Sequence, residues 1–81
     1  MIQVRLWGSL LSLTDGQETV EVEARTLGGV LRELVRIHPA LKPQIDRGVS
    51  FAVDGTIIRD DWLHPVAPDQ EVFLIPYMTG G

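Results

Sequence analysis

The sequence predicts an α+β fold in which a mixed β-sheet of about five strands packs on one main helix. Three observations lead to this prediction. The chain has 81 residues, which is enough for one small domain. Apolar and polar residues alternate with a period of two in several short segments, as they do in half-buried strands. One longer segment between them carries apolar residues at the spacing of a helical face.

Residues 2–7 and 19–24 form the first predicted strand pair. Apolar side chains occupy every second position in both segments, so each strand is expected to bury one face. Because the segments are close in sequence, we expect them to pair as an antiparallel hairpin. Arg5 would then lie opposite Glu21 or Glu23 on the solvent-facing side.

The main helix is predicted after Thr26, which is a suitable N-cap, and before Pro39, which cannot continue it. Gly28 and Gly29 are unfavourable in a first helical turn, so they call for a reason. Close packing of the helix start on the sheet is one interpretation, and a phosphate cradle at a helix N-terminus is the other. The apolar face consists of Leu27, Val30, Leu31, Leu34 and Ile37.

A second hairpin is predicted after a connector at residues 39–49 that contains a short helical turn. Segments 50–53 and 56–59 are rich in strand-forming residues and flank the dipeptide Asp54-Gly55. Such a dipeptide favours a type I′ turn, which needs positive φ at both central positions.

The last strand is predicted at residues 71–75, which are almost entirely apolar. A strand of this kind is expected in the middle of the sheet, parallel to and beside the first strand. Leu63, in the polar segment 60–69, is expected to plug the open end of the core. This order of elements predicts a β-grasp roll formed by residues 1–75.

Composition excludes several classes of function. The net charge of −4 disfavours binding to nucleic acid or to an anionic membrane. The chain has no cysteine, and two histidines, His38 and His64, do not make a metal site by themselves. With no membrane-spanning segment or signal peptide in the sequence, the expected location is the cytoplasm.

Residues 76–81 are predicted to be a flexible tail that ends in Gly80-Gly81. Pro76 cannot donate to a ladder and closes the strand, and Tyr77, Met78 and Thr79 follow it. One interpretation is an ordinary flexible terminus. The other is a reactive arm, because a terminal carboxylate becomes electrophilic once it is adenylated, and residues without Cβ pass a narrow channel.

The whole chain resembles the MoaD/ThiS family of ubiquitin-like sulfur carriers. The residues that carry the resemblance are Phe51-Ala52-Val53-Asp54-Gly55, Leu63, Pro68-Asp69-Gln70-Glu71-Val72 and Ile75-Pro76-Tyr77-Met78-Thr79-Gly80-Gly81. The length is more similar to that of the small subunit of molybdopterin synthase than to that of the thiamine-pathway carrier.

The resemblance implies a mechanism centred on Gly81. An E1-like adenylating enzyme would activate the Gly81 carboxylate with ATP-Mg, and a sulfur donor protein would displace AMP to leave a thiocarboxylate. The sulfur would then pass to a biosynthetic intermediate held by a second protein, such as a large synthase subunit. A molybdopterin precursor is the preferred acceptor, and a thiamine precursor is the alternative. The chain would bind no permanent cofactor or metal and would be a co-substrate rather than an enzyme.

A docking surface is predicted on the sheet face opposite the helix. There Phe73 and Ile75 should point outward beside Arg5 and Trp7, making an apolar patch near the tail. Alternatively, Trp7 or Phe73 covers the rim of the core beneath the loop at 8–18. Acidic residues either steer a basic partner or only solvate the surface; they are Asp60, Asp61, Asp69 and Glu71.

Two further functions fit the same sequence features. The chain could be a ubiquitin-like modifier joined to lysines of target proteins through Gly81, since the adenylation step is common to both. It could also be a non-catalytic interaction module whose tail has no chemical role.

Overall fold

The computed structural model describes residues 1–76. It is a five-stranded mixed sheet in the order β2-β1-β5-β3-β4, with helix α1 packed on one face. The predicted α+β roll is confirmed. The elements, with two 3-10 segments, are β1 (Ile2–Arg5), a 3-10 segment (Gly8–Leu13), β2 (Thr19–Val22), α1 (Leu27–Ile37), a 3-10 turn (Pro39–Leu41), α2 (Lys42–Arg47), β3 (Val49–Val53), β4 (Thr56–Ile58) and β5 (Val72–Pro76).

The first hairpin forms, but its register differs from the expected one. Arg5 lies opposite Thr19, and Glu21 lies opposite Gln3, whose side-chain amide donates to it at 3.3 Å. The expected pairing of Arg5 with Glu21 or Glu23 is therefore wrong. The register follows from the connecting loop, which closes where the Leu6 amide donates to the Glu18 carbonyl at 2.8 Å.

Helix α1 begins as the sequence predicts. The Thr26 hydroxyl accepts a hydrogen bond from the Gly29 amide at 3.1 Å, and the helix ends at Ile37 before Pro39. A Cβ on Gly28 would lie 3.0 Å from the Trp62 carbonyl oxygen, so this glycine permits close packing. The neighbour is the segment before β5, however, and not the sheet.

The amides at the start of α1 are already satisfied, which argues against a phosphate cradle. The Leu27 amide donates to the His64 carbonyl at 3.0 Å, and the Gly28 amide donates to the Trp62 carbonyl at 2.8 Å. The Gly29 amide is held by Thr26. An anion at this end would have to displace all three hydrogen bonds.

The second hairpin agrees with the prediction. Val53 pairs with Thr56 across a two-residue turn, in which Asp54 has φ 49° and Gly55 has φ 85°. Both values are positive, as a type I′ turn requires. The turn therefore sets which residues of β3 and β4 share a face.

Strand β5 occupies the centre of the sheet, as predicted. It runs parallel to β1, with Val4 opposite Val72, and antiparallel to β3, with Phe51 opposite Leu74. It continues through Pro76, one residue beyond the predicted end. Strand β5 is thus paired with β3 along its whole length, whereas its pairing with β1 covers only Val72 and Phe73.

The open end of the core is closed by Val66 and not by Leu63. Leu63 is 84% exposed, whereas Val66 is 9% exposed. The Val66 amide donates to the Arg25 carbonyl at 2.9 Å, and Thr26 and Pro65 form an isolated bridge. These backbone contacts orient the segment so that Leu63 faces solvent, and the prediction for Leu63 is wrong.

Trp62 lies at the edge of the core. Its ring meets that of Phe51 edge-to-face, with centroids 6.3 Å apart and an interplanar angle of 80°. Phe51 itself is fully buried in the cluster between sheet and helix. The structure therefore gives Trp62 a packing role.

Candidate functional site

The sheet face turned away from α1 carries three of the four residues predicted for docking, and the fourth, Trp7, follows the end of β1. Along β5, Val72 and Leu74 are buried while Phe73 and Ile75 are only partly buried, so the predicted alternation is confirmed. Arg5 is exposed on the neighbouring strand. This face is called the outer face below.

Strand register places a row of side chains across the outer face. Arg5 lies beside Phe73 through the β1–β5 pairing, Phe73 lies opposite Ala52, and Ala52 lies opposite Ile57. Ile57 is 53% exposed although it is apolar. The row therefore crosses four strands, and its apolar part extends over β5, β3 and β4 to the edge of the sheet.

Ala52 and Ile57 are candidate docking residues that the sequence analysis missed. The information was present, because the two-residue turn at Asp54-Gly55 dictates that Ala52 and Ile57 face each other. What could not be read from the sequence was that β3 lies directly beside β5.

Arg5 stacks on the aromatic ring in this row. Its guanidinium carbon lies 6.0 Å from the centroid of Phe73, which is the distance of a weak cation–π contact. Within residues 1–76, no carboxylate forms an ion pair with Arg5 at 4.0 Å or less. Arg5 thus presents a positive charge at the border of an apolar surface.

A groove of about 350 Å³ opens where β5 ends, and it is lined by Trp7, Gly8, Ser9, Ile75 and Pro76. Trp7 is 59% exposed, so it does not cover the rim of the core. That place is taken by Leu10, which is fully buried beneath the 3-10 segment. An exposed tryptophan at a groove is typical of a partner-binding surface.

The chain leaves the described part of the molecule at this groove. Pro76 lies opposite Val49 at the end of the β3–β5 ladder. The predicted tail residues, with Gly81 as the reacting group, lie outside the described residues: Tyr77, Met78, Thr79, Gly80 and Gly81.

Acidic residues gather at the opposite end of β5. The Glu71 amide donates to the Asp54 carboxylate at 2.9 Å, and the Asp54 amide donates to the Glu71 carbonyl at 2.9 Å. Asp69 and Glu71 line a polar cleft of about 210 Å³ together with Arg5. These carboxylates are therefore placed away from the Trp7 groove.

The remaining titratable residues do not form a catalytic group in the described chain. A hydrogen bond from Arg36 lowers the pKa of Glu33, but this pair lies on α1. His38 contacts the Gln17 side chain at 2.8 Å, and His64 lies 3.8 Å from the Asp61 carboxylate. Residues 1–76 contain no set of three histidines or carboxylates that could hold a metal ion.

The described helices are also too short or too polar to cross a membrane.

A five-stranded mixed sheet with a parallel central pair, one main helix and an exposed outer face defines a ubiquitin-like β-grasp protein. The ThiS family model matches residues 4–81. The chain therefore belongs to the ThiS family.

Solved structures agree with this assignment. SAMP1 from Haloferax volcanii superposes with a TM-score of 0.79 at 27% identity, covering 99% of this chain and 98% of that one. A chain of the BexX/CysO complex from Amycolatopsis orientalis has a TM-score of 0.81 at 18% identity, with 100% of both chains covered.

A third similar structure is a complex of subunits 1 and 2 of the molybdopterin-converting factor from Helicobacter pylori 26695. It matches with a TM-score of 0.67 at 22% identity, covering 99% of this chain and 97% of that one. At such low identity the likeness establishes the fold alone. No curated protein matches this chain by sequence.

Proposed function

We propose that this chain is a sulfur carrier whose Gly81 carboxylate is adenylated by an E1-like enzyme and then converted to a thiocarboxylate. The observation that carries the proposal is the ThiS family match, which extends to residue 81 and so includes the terminal Gly80-Gly81. The outer face supports it, because an exposed apolar surface and groove lie where the chain leaves the sheet.

The chemistry requires a separate ATP-using protein. A carboxylate resists nucleophilic attack until one oxygen becomes part of a good leaving group, and transfer of AMP from ATP-Mg provides that group. A persulfide sulfur of the donor protein then attacks the carbonyl carbon, and AMP departs. A thiol cleaves the S–S bond of the resulting acyl disulfide, which releases the thiocarboxylate and forms a disulfide with the donor. The carrier contributes a folded domain for the enzyme to bind and an acyl group to be activated, so it is a co-substrate and not a catalyst.

The two terminal glycines suit this role. Without Cβ atoms, Gly80 and Gly81 can adopt backbone torsions that other residues avoid, and they leave the terminal carbonyl open to attack. A side chain at either position would narrow the approach of the nucleotide or the sulfur donor.

The outer face is proposed as the docking site for the adenylating enzyme. Trp7 and Ile75 line the groove at the end of β5, and Phe73 and Arg5 lie beside them in the sheet. Binding here would direct residues 77–81 toward the partner's nucleotide site. The same surface could later contact the protein that holds the sulfur acceptor.

The proposed acceptor is a molybdopterin-type precursor held by a larger synthase subunit. The chain length, which is more similar to that of the small subunit of molybdopterin synthase, supports this choice. The Helicobacter pylori structure shows that a protein of this fold occurs in a complex of two molybdopterin-converting factor subunits. Use of ATP and a cytosolic sulfur donor is consistent with the proposed location in the cytoplasm.

Intact mass spectrometry tests the proposal. The full chain is incubated with the source organism's adenylating enzyme, ATP-Mg and a sulfur donor, and we expect a mass increase equal to exchange of one oxygen for sulfur. Deletion of Gly81 should abolish this change while leaving the circular dichroism spectrum intact, because the sheet is complete by Pro76. Absence of AMP and thiocarboxylate with the intact chain would contradict the proposal.

A ubiquitin-like modifier is the second candidate. Similarity to SAMP1 favours it, since the name of that protein is small archaeal modifier protein 1. The two functions separate by product: a modifier gives larger, lysine-linked adducts in cell extract. If such adducts formed without any thiocarboxylate, the modifier would be the better assignment. Pathway activity that survived loss of Gly81 would instead indicate an interaction module.

A further inference from the structure

Arg5 and Phe73 cannot be covered separately by a docking protein. They are neighbours in the β1–β5 pairing, and the guanidinium carbon lies 6.0 Å from the ring centroid. Any surface that buries the outer side of Phe73 therefore also removes water from Arg5. Burying a guanidinium that has no counter-charge is strongly unfavourable.

No carboxylate among residues 1–76 forms an ion pair with Arg5. Asp69 and Glu71 line the same cleft as Arg5, yet neither comes within 4.0 Å of its guanidinium. The Glu71 backbone is tied to the Asp54 turn through two hydrogen bonds of 2.9 Å, which fix its backbone position just before β5. Because none of the described carboxylates pairs with Arg5, we expect the docked partner to supply one.

The apolar part of the surface indicates the footprint of the partner. Ala52 separates the larger side chains of Phe73 and Ile57 in the row across the sheet. Ile57 is 53% exposed on the edge strand, so the footprint spans from β1 to β4.

We propose that the outer face binds a protein surface that places a carboxylate on Arg5 and an apolar patch over Phe73, Ala52 and Ile57. We identify that partner as the adenylating enzyme, and this step rests on the proposed function. It assigns a specific acidic contact to the partner, whereas the acidic residues of this chain had suggested a basic one.

The affinity of the adenylating enzyme for charge variants tests the acidic contact. We expect Arg5→Glu to weaken binding at least about 30-fold, the factor associated with loss of a buried charge pair. Arg5→Lys should retain part of the affinity. The matched control is Arg32→Glu, which makes the same change of charge at an exposed residue of α1. We expect it to change the affinity less than about 3-fold. Reversal of one partner carboxylate to arginine should restore binding of Arg5→Glu.

A second pair of variants tests the apolar footprint. Ile57→Ser should weaken binding about five-fold, because docking would bury the exposed part of the isoleucine side chain and serine offers less apolar area. Leu63→Ser is the matched control. Leu63 is more exposed, at 84%, and it lies between Trp62 and His64, whose carbonyls accept hydrogen bonds from the start of α1. Equal effects of Ile57→Ser and Leu63→Ser would overturn the footprint.

The inference and the proposed function fail in different ways. If the intact chain acquires sulfur but Arg5→Glu binds like Arg32→Glu, the acidic contact is wrong and the function stands. If Arg5 governs binding but no thiocarboxylate forms, the contact stands and the sulfur chemistry is wrong. If Glu71→Gln weakens binding as much as Arg5→Glu, the counter-charge comes from the chain itself, and the inference is overturned.

Discussion

Gly28 has no Cβ because a backbone atom occupies the space beside it. The Trp62 carbonyl oxygen would lie 3.0 Å from an added Cβ, and the Trp62 Cβ would lie at 3.2 Å. The same carbonyl accepts the Gly28 amide at 2.8 Å, so it cannot retreat without weakening that hydrogen bond. Glycine is unfavourable in a first helical turn, so the sequence indicated that a structural constraint requires it here. The structure identifies that constraint as close contact with the Trp62 backbone.

Replacement of Gly28 by alanine should therefore destabilise the protein. Alanine is the better helix former by about 1 kcal/mol, but crowding against fixed backbone costs about 1–3 kcal/mol. We expect Gly28→Ala to reduce the free energy of unfolding, measured in urea, relative to Gly29→Ala. At Gly29 the nearest atom is the Ala24 Cβ at 3.3 Å. A more stable Gly28→Ala variant would show that the loop yields easily.

Leu63 and Val66 illustrate the limit of residue-level prediction. Both are apolar residues in a polar segment, and hydrophobicity alone favoured Leu63 for the core. The backbone contacts of residues 64–66 with the chain before α1 decide the outcome. Such contacts link segments about 40 residues apart in sequence, so no local pattern reports them.

Helix α1 combines a predicted cap with an ion pair on its surface. The Arg36 guanidinium lies 2.8 Å from the Glu33 carboxylate, and its hydrogen bond lowers the pKa of Glu33 below the ordinary value of 4.5. A carboxyl whose pKa falls on folding stabilises the folded state above its unfolded pKa. That contribution disappears as the pH falls through the lower, folded value.

The stability of Arg36→Gln should consequently depend on pH. Near pH 7 we expect the variant to melt slightly below the wild type, because the pair is accessible to solvent and its effect is small. As the pH falls below 4.5 and Glu33 becomes protonated, the two melting temperatures should converge. Thermal denaturation across this range checks the prediction, and a constant difference would contradict it.

The two hairpins differ in how far the sequence determines them. The turn at Asp54-Gly55 has a dipeptide that imposes one backbone geometry, and its register follows directly. The loop between β1 and β2 has no such signal; it contains a 3-10 segment, Gly8–Leu13. Its closure shifts Arg5 opposite Thr19, a register that alternation alone could not distinguish.

At the scale of the whole molecule, the two tryptophans report on different parts of the structure. Trp62 packs against Phe51 at the edge of the core, whereas Trp7 is 59% exposed beside the groove at the end of β5. Fluorescence from Trp62 should follow folding, and fluorescence from Trp7 should follow docking.

Single-tryptophan variants test this division. In Trp7→Phe, the remaining Trp62 should show a clear red shift in emission when urea unfolds the protein, because it moves from a half-buried site into water. In Trp62→Phe, unfolding should shift the emission of Trp7 much less. Equal shifts in the two variants would mean that Trp7 is shielded in solution.

By itself, the sequence determined the strands, the helix with its Thr26 cap, the Asp54-Gly55 turn and the central place of the last strand. These follow from alternation, helical spacing and turn chemistry, which act over a few residues at a time. The position of a side chain on the inner or outer face is also local, so Phe73 and Ile75 were placed correctly.

Only the tertiary structure decided which outward side chains become neighbours. Ala52 and Ile57 join Phe73 because β3 lies beside β5. Arg5 lies opposite Thr19 rather than a glutamate because loop closure sets the β1–β2 register. Which side chains lie next to each other on adjacent strands depends on strand order and register. These are determined by the packing of the whole chain rather than by any one segment.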